Sequence, residues 1–428
     1  MSSALFVVLV LLGLIILGFP ISFSLGITGL ALLYKLDMVF MMEILPQRMF
    51  SGINSFVIMA MPFFMLAGSI MNRTGITTAL VRFAEACIGW VRGGLAHVNI
   101  VGSILFAGLT GSAVADTAAL GSVLIPAMKK AGYSKEFAAA VTAASSVIGP
   151  IIPPSIIMVI YGSLMNVSIA GLFVAGILPG LLFGVTLMVV TYVIAKKRNY
   201  PKQDSFSVNE LGDRFVKSLP ALMMPIIILG GILGGVFTPT EAAAVAVLYA
   251  IAIGFIFRRL SFKDLWLALK ETVLSQGMIL MILACAGILS WLMASEKIPD
   301  QIADAILSIT ENKYLLLFLI NVVLLVVGMF MDITAALIML AAIMAPLAIE
   351  AGVDPLHFGI IMVTNLNIGL ITPPLGACLF VASGIARIPL RPIVREILPF
   401  VLAEIAVLFV VIYFEDMVLF LPRLFGYA

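Results

Sequence analysis

From Tyr314 to Ile349 this chain carries a single charged side chain, Asp332. Apolar runs of about 20 residues match the hydrocarbon thickness of a bilayer, and such runs recur along the 428 residues. In lipid, backbone polar groups are satisfied only by helices or closed barrels. Charged residues make up 11% of the chain, against about 25% in an ordinary soluble domain. The expected fold is an all-α polytopic membrane protein.

Composition also excludes several functions. The net charge of +2 comes without a basic stripe or recognition motif, so nucleic acid is not an expected partner. Cys87, Cys285 and Cys378 are scattered, without spacing for a transition metal or a disulfide framework. No nucleophile–base pair or P-loop appears, which argues against an enzyme and against an organic cofactor. The N-terminal stretch "MSSALFVVLVLLGLIILGFP" lacks a basic n-region and a small-residue cleavage site, and is expected to remain as a first span.

Lys and Arg mark cytoplasmic loops. Three clusters do so here: Lys196, Lys197 and Arg198; Arg258, Arg259 and Lys263; and Arg387, Arg391 and Arg395. With these inside, 218–237 and 241–257 form a helical pair joined outside by "TPTE", with Glu241 as a helix-start acid. The next span covers 272–294, and "SEKIPDQIADAILSITENK" then lies along the membrane surface. The following loop, "IEAGVDP", carries no Lys or Arg and is placed outside. The segment 314–349 therefore begins and ends on one side, as a re-entrant hairpin with its tip at "GMFMDITAAL". Residues 97–128 form a second hairpin with its tip at "GLTGSAVADT", closed on the cytoplasmic side by Lys129, Lys130 and Lys135. Its arms are expected to be about 10 to 12 residues, too short to span. The stretch 77–94 between these elements is expected to be an interfacial arm whose Arg residues meet lipid headgroups.

The two regions repeat one another. Pro153-Pro154 and Pro373-Pro374 lie 220 residues apart, as do Gly149 and Gly369, Pro126 and Pro346, and Pro179 and Pro399. The "TAAL" at Thr117 and Thr334 departs from that offset by three, and Asp116 and Asp332 both sit at the hairpin tips. If 218–257 corresponds to 4–34 and 272–294 to 52–71, each half crosses five times, and the second half is inverted. The expected division is 1–215 and 216–428. Each half holds scaffold helices, a re-entrant hairpin and a discontinuous helix, at 137–165 and at 358–386. Inverted repeats of this kind are a recurring plan of secondary transporters, with sites near the midplane where discontinuous helices meet.

Broken backbone survives in a membrane only inside protein or beside water. A proline pair removes two N–H donors and frees carbonyls on the preceding turn. Free carbonyls are hard oxygen ligands, suited to a small alkali cation. In the first half, Ser145, Ser146 and Ser155 surround Gly149, Pro150, Pro153 and Pro154; in the second, Asn365, Asn367 and Thr372 surround Gly369, Pro373 and Pro374. Half-helix N-termini at the same places attract an anionic substrate. A plain proline kink is the competing account, and two matching pairs beside Gly and Ser/Asn weigh against it. At the tips, Gly111, Ser112, Thr117, Gly328 and Thr334 are candidate ligands or close neighbours. Asp116 and Asp332 have two readings, a functional acid at membrane depth and an N-cap of the returning helix. His97 and His357 suit packing better than catalysis.

"GLTGSAVADTAALGSVLIPAM", "GPIIPPS" and "GLITPPLG" resemble the large membrane subunit, the DctM type, of the TRAP transporters, the tripartite ATP-independent periplasmic carriers. The resemblance runs almost the whole length of the chain. It implies an elevator-type transporter of the bacterial or archaeal cytoplasmic membrane, with both termini periplasmic. It implies two partners, a small four-helix membrane subunit and a periplasmic solute-binding protein. The small subunit is expected as a separate chain, since this one opens directly into a large-subunit span. The implied cargo is an organic acid, of C4-dicarboxylate or sialic acid type, driven by a sodium gradient. By position, the sodium sites fall at Ser145–Pro154 with the first tip and at Asn365–Pro374 with the second. The alternatives are a stand-alone carrier coupled to sodium or protons and a non-transporting membrane scaffold.

Overall fold

The computed structural model describes residues 3–202, 207–296, 312–374 and 376–428. Among these residues all regular structure is helical. The first half contains α1 (Ser3–Ile16), α2 (Ile21–Lys35), α3 (Leu45–Ile53), α4 (Ala60–Arg73), α5 (Ile76–Ile88), α6 (Gly94–Thr110), α7 (Ala113–Lys130), α8 (Lys135–Ser146), α9 (Ile156–Met165) and α10 (Ile169–Lys197). The second contains α11 (Val208–Leu233), α12 (Pro239–Ile256), α13 (Phe262–Ser295), α14 (Lys313–Phe330), α15 (Ile333–Glu350), α16 (Pro355–Gly369), α17 (Ala377–Ala386), α18 (Leu390–Tyr413) and α19 (Glu415–Leu424). Most of the amphipathic stretch expected after Ser295 lies outside the described residues.

Seven of these helices are long and apolar enough to cross a membrane, and an eighth crossing arises if residues 39–73, bent by 58° at a break, count as one. Large apolar side chains lie exposed along them, such as Val185, Val189 and Val193 on α10. Exposed apolar surface on that scale marks a membrane or a partner, and the chain is a multi-pass membrane protein.

Helix boundaries follow local chemistry. Ser134 caps α8 through Phe137 N (3.3 Å), and Asp354, 220 residues on, caps α16 through Leu356 N (2.8 Å). Each cap follows a left-handed glycine, Gly132 or Gly352. Glu241 is indeed a helix-start acid, closing a capping box with Thr238 on α12. Removing the acceptor with Asp354→Ala is expected to cost about 1 kcal/mol, read as a lower melting temperature.

Two bodies form. Helices α1–α4 pack with α11–α13, and α3 crosses α13 where a Cβ on Gly52 would lie 3.3 Å from Gly287 Cα. The hairpins α6–α7 and α14–α15 pack with the broken helices α8/α9 and α16/α17 and with α10 and α18. The halves interlock within this second body: α17 lies on α7 and α8, while α9 lies on α15. Arg198 at the end of α10 pairs with Glu396 on α18 at 2.8 Å.

Two expectations need correction. The hairpin arms are 17 and 18 residues in the first half and 18 each in the second, or about 27 Å, so length alone does not prevent them from spanning. Their polar ends are wound into helix, which the sequence estimate left out. The correspondence of 52–71 with 272–294 is also imperfect: α13 is continuous, whereas the first half divides into α3 and α4 at Asn54–Phe56.

Candidate functional site

The first hairpin turns at Gly111, whose φ of 59° a residue with a Cβ rarely adopts. A Cβ there would also lie 2.9 Å from Pro154 O, so this tip rests directly on the first break. Ser112 caps α7 by accepting from Ala115 N. Asp116, one turn along, is fully buried; one oxygen accepts from the Thr110 hydroxyl, and Oδ2 has no partner among the described residues. That oxygen lies against Gly149, where any Cβ would collide with it.

Between α8 and α9 the chain runs irregularly from Val147 to Ser155. Prolines 150, 153 and 154 supply no N–H. Among the described residues no hydrogen bond reaches the carbonyls of Gly149, Pro150, Ile151, Ile152 or Pro153. Both proline pairs, Pro153-Pro154 and Pro373-Pro374, are cis. Ser145 belongs to a buried cluster: its hydroxyl meets Ser103 Oγ at 2.9 Å and Asn99 Oδ1 at 3.3 Å, while Asn99 donates to Thr142 Oγ1 at 2.5 Å.

The second half reaches a related arrangement with different side chains. Gly328 and Gly369 bring α14 and the end of α16 into backbone contact. Asn365 donates through Nδ2 to Asn321 Oδ1 (2.6 Å) and O (2.9 Å). Asn367 donates to Val363 O at 2.8 Å. Three buried oxygens on this last stretch of α16, Thr364 Oγ1, Asn365 Oδ1 and Asn367 Oδ1, have no partner among the described residues. Buried polar atoms are ordinarily satisfied, and these three stand within four residues of one helix.

Both tips open into one cleft of about 820 Å³, closed on the far side by α13 from Val273 to Ile282 and by the start of α2. Gly111, Ser112 and Pro150 line it from the first half, and Asp332, Thr334 and Leu370 from the second. The first turns of α7, α9 and α15 face it. A helix N-terminus carries roughly half a positive charge. No Lys, Arg or His stands among the described lining residues, and Asp332 is the one ionisable group.

The chain matches the family described as "Tripartite ATP-independent periplasmic transporter, DctM component" over residues 8–417. It belongs to the DctM family. It is 41% identical to the "Sialic acid TRAP transporter large permease protein SiaM" of Vibrio cholerae, over 97% of this chain and 98% of that one. Identity to the "C4-dicarboxylate TRAP transporter large permease protein DctM" of Pseudomonas aeruginosa is 39%, over 94% of each. In fold it is similar to the Alcanivorax borkumensis YdaH transporter, whose crystal structure has "an unusual topology" (TM-score 0.65, 15% identity, 88% of each chain).

In this DctM-family subunit the two acids are not equivalent. Asp332 is the N-cap of α15, accepting from Thr334 N at 2.9 Å, and its counterpart 220 residues earlier is Ser112, the N-cap of α7. Asp116 lies inside the helix and corresponds by position to Ala336. The shifted "TAAL" does not align the two acids either, since it sets Asp116 against Ile333, whereas the caps keep the constant offset.

The hydroxyls of Thr117 and Ser146 bond carbonyls of their own helices, at 2.9 and 2.7 Å, and that of Thr372, just past α16, donates to Ile368 O at 2.7 Å. Ser155 caps α9 through Met158 N at 3.4 Å. His97 and His357 are both buried, and His357 Nε2 lies 2.7 Å from Val411 O. Sequence reasoning did not find Asn99, Ser103, Thr142, Asn321 or Thr364. Asn99 and Ser103 stand four apart in an apolar arm, which was the available signal.

Proposed function

We propose that this subunit is the transmembrane part of a sodium-coupled, binding-protein-dependent importer of organic acids. It would work in the cytoplasmic membrane with a small four-helix subunit and a periplasmic solute-binding protein, both termini being periplasmic. The observation that supports the reading is the convergence of both hairpin tips on a cleft with no cationic side chain among its described lining residues, together with buried oxygens at both breaks that have no hydrogen-bond partner among the described residues. An organic carboxylate is received there by helix N-termini, and its remaining charge is balanced by alkali cations at the breaks. The first cation has Asp116 and the freed carbonyls of Gly149–Pro153 within reach; the second has Thr364, Asn365 and Asn367.

The repeats are read as inverted, so that the hairpins enter from opposite faces, with the Lys/Arg clusters on the cytoplasmic side. The second body, holding tips and breaks together, is the unit that would travel against α1–α4 and α11–α13. The substrates named for the relatives, sialic acid and C4-dicarboxylates, share a carboxylate, and that group is the part of the substrate assigned to the cleft.

Thermal melting of the purified chain in sodium, potassium and choline chloride at equal ionic strength tests the coupling ion. A ligand bound only by the folded state stabilises it by about 2.7 kcal/mol at a hundredfold excess over Kd. Sodium alone should raise the melting temperature, and Asn365→Leu should remove the rise. Equal effects of sodium and potassium would reject sodium sites in the isolated chain.

A further inference from the structure

A second cavity, of about 680 Å³, lies between α5, the first half of α11 and the end of α12, and shares no lining residue with the cleft. Its charged lining has one sign: Arg82, Arg214, Lys217 and Arg259. Arg214 and Lys217 are held by Glu210 (3.4 Å) and Asp213 (2.6 Å), one turn back on α11. Among the ion pairs of the described residues, Arg82 and Arg259 take no part. The first turn of α5 also lines the cavity, and its cap, Gly75, offers no side-chain acceptor to the N–H groups there. The remaining wall is largely apolar, and Val216 and Phe257 are 65% and 51% exposed.

Guanidinium groups with no ion pair among the described residues, beside a helix start without a side-chain cap, suit a phosphate. The exposed apolar residues of the same wall suit acyl chains. Basic pockets between membrane helices on the cytoplasmic side hold anionic headgroups, and Arg258 and Arg259 assign this end of α12 to that side. We propose that the cavity binds the phosphate of an anionic phospholipid from the cytoplasmic leaflet, whose chains lie over Val216 and Phe257. A lipid held there would tie α5 to α11 and α12, three elements that flank the mobile body, whichever ion drives transport.

The full chain in neutral detergent, titrated with phosphatidylglycerol, phosphatidylcholine or inorganic phosphate and read by native mass spectrometry, tests this. Phosphatidylglycerol should bind with one high-affinity site, and phosphatidylcholine should not compete for it. Arg82→Gln with Arg259→Gln should weaken that binding about 30-fold, while Arg391→Gln with Arg395→Gln, equal in charge and far in sequence, should leave it intact. Should the first pair fail to fold, Ala79→Phe fills the cavity without altering charge and should abolish the site. The proposal is overturned if both lipids bind alike, if inorganic phosphate displaces phosphatidylglycerol at equal concentration, if either cavity variant binds as well as wild type, or if the small membrane subunit displaces the lipid.

Discussion

Gly369→Ala is expected to be among the most damaging single-methyl changes in this protein. A Cβ at that position would meet the backbone of Gly328, with Cα and O each 2.7 Å away. Backbone on the facing helix cannot swing aside as a flexible side chain can, so relief requires α14 and α16 to part. Overpacking of this kind costs about 1–3 kcal/mol, occasionally more, and here it also disturbs the three donor-free oxygens of α16. Sodium-dependent uptake by the reconstituted system should be lost, and the melting temperature should fall. Gly328→Ala should be milder, since its nearest neighbours would lie at 3.3 to 3.4 Å. Gly384→Ala, on α17 with nothing within 4 Å, should gain about 0.5–1 kcal/mol from helix propensity. If melting curves rank the three in any other order, the tight α14–α16 crossing does not set local stability.

The second large effect concerns Asp116, and its sign depends on the ion present. A buried carboxylate with one donor is unfavourable on its own, by several kcal/mol in a dry interior. Asp116→Asn removes that burden, and should melt at or above wild type in sodium-free buffer. On addition of sodium, wild type should gain about 2.7 kcal/mol at a hundredfold excess over Kd, while the variant should gain little. Transport should fall with the lost response. A variant that melts lower than wild type without sodium, yet still responds to it, would make Asp116 a structural partner of Thr110 and nothing more.

The breaks were legible because proline chemistry is local. Three missing N–H groups at Pro150, Pro153 and Pro154 cannot sit within a regular helix, whatever surrounds them. The hairpin turns were legible for a similar reason, at Gly111 and at the acid-capped turn of Asp332. What the sequence hid were facts about partners. Nothing in "LINVV" says that Asn321 faces Asn365 on another helix, and nothing near Thr364 says that its hydroxyl lacks a partner among the described residues. Glu404, fully buried with both oxygens unpartnered among the described residues, is equally silent in "LAEIAV". The difference between the two acids has a plainer cause. Each stands just ahead of a "TAAL", whereas the fold preserves the position of a helix cap and lets its side chain change from Ser to Asp.

In the proposed mechanism, the lack of a Lys, Arg or His among the described lining of the cleft bears on leakage. An organic anion entering alone would meet Asp332 and a low-dielectric wall, with only backbone dipoles in its favour. Its residence then depends on the cations at the two breaks, and by reciprocity their affinity rises when it is present. A fixed arginine would let the anion ride without its ions and run down its own gradient. Leaving the counter-charge to the travelling ions makes such slippage electrostatically expensive, and guards an accumulated substrate against escape.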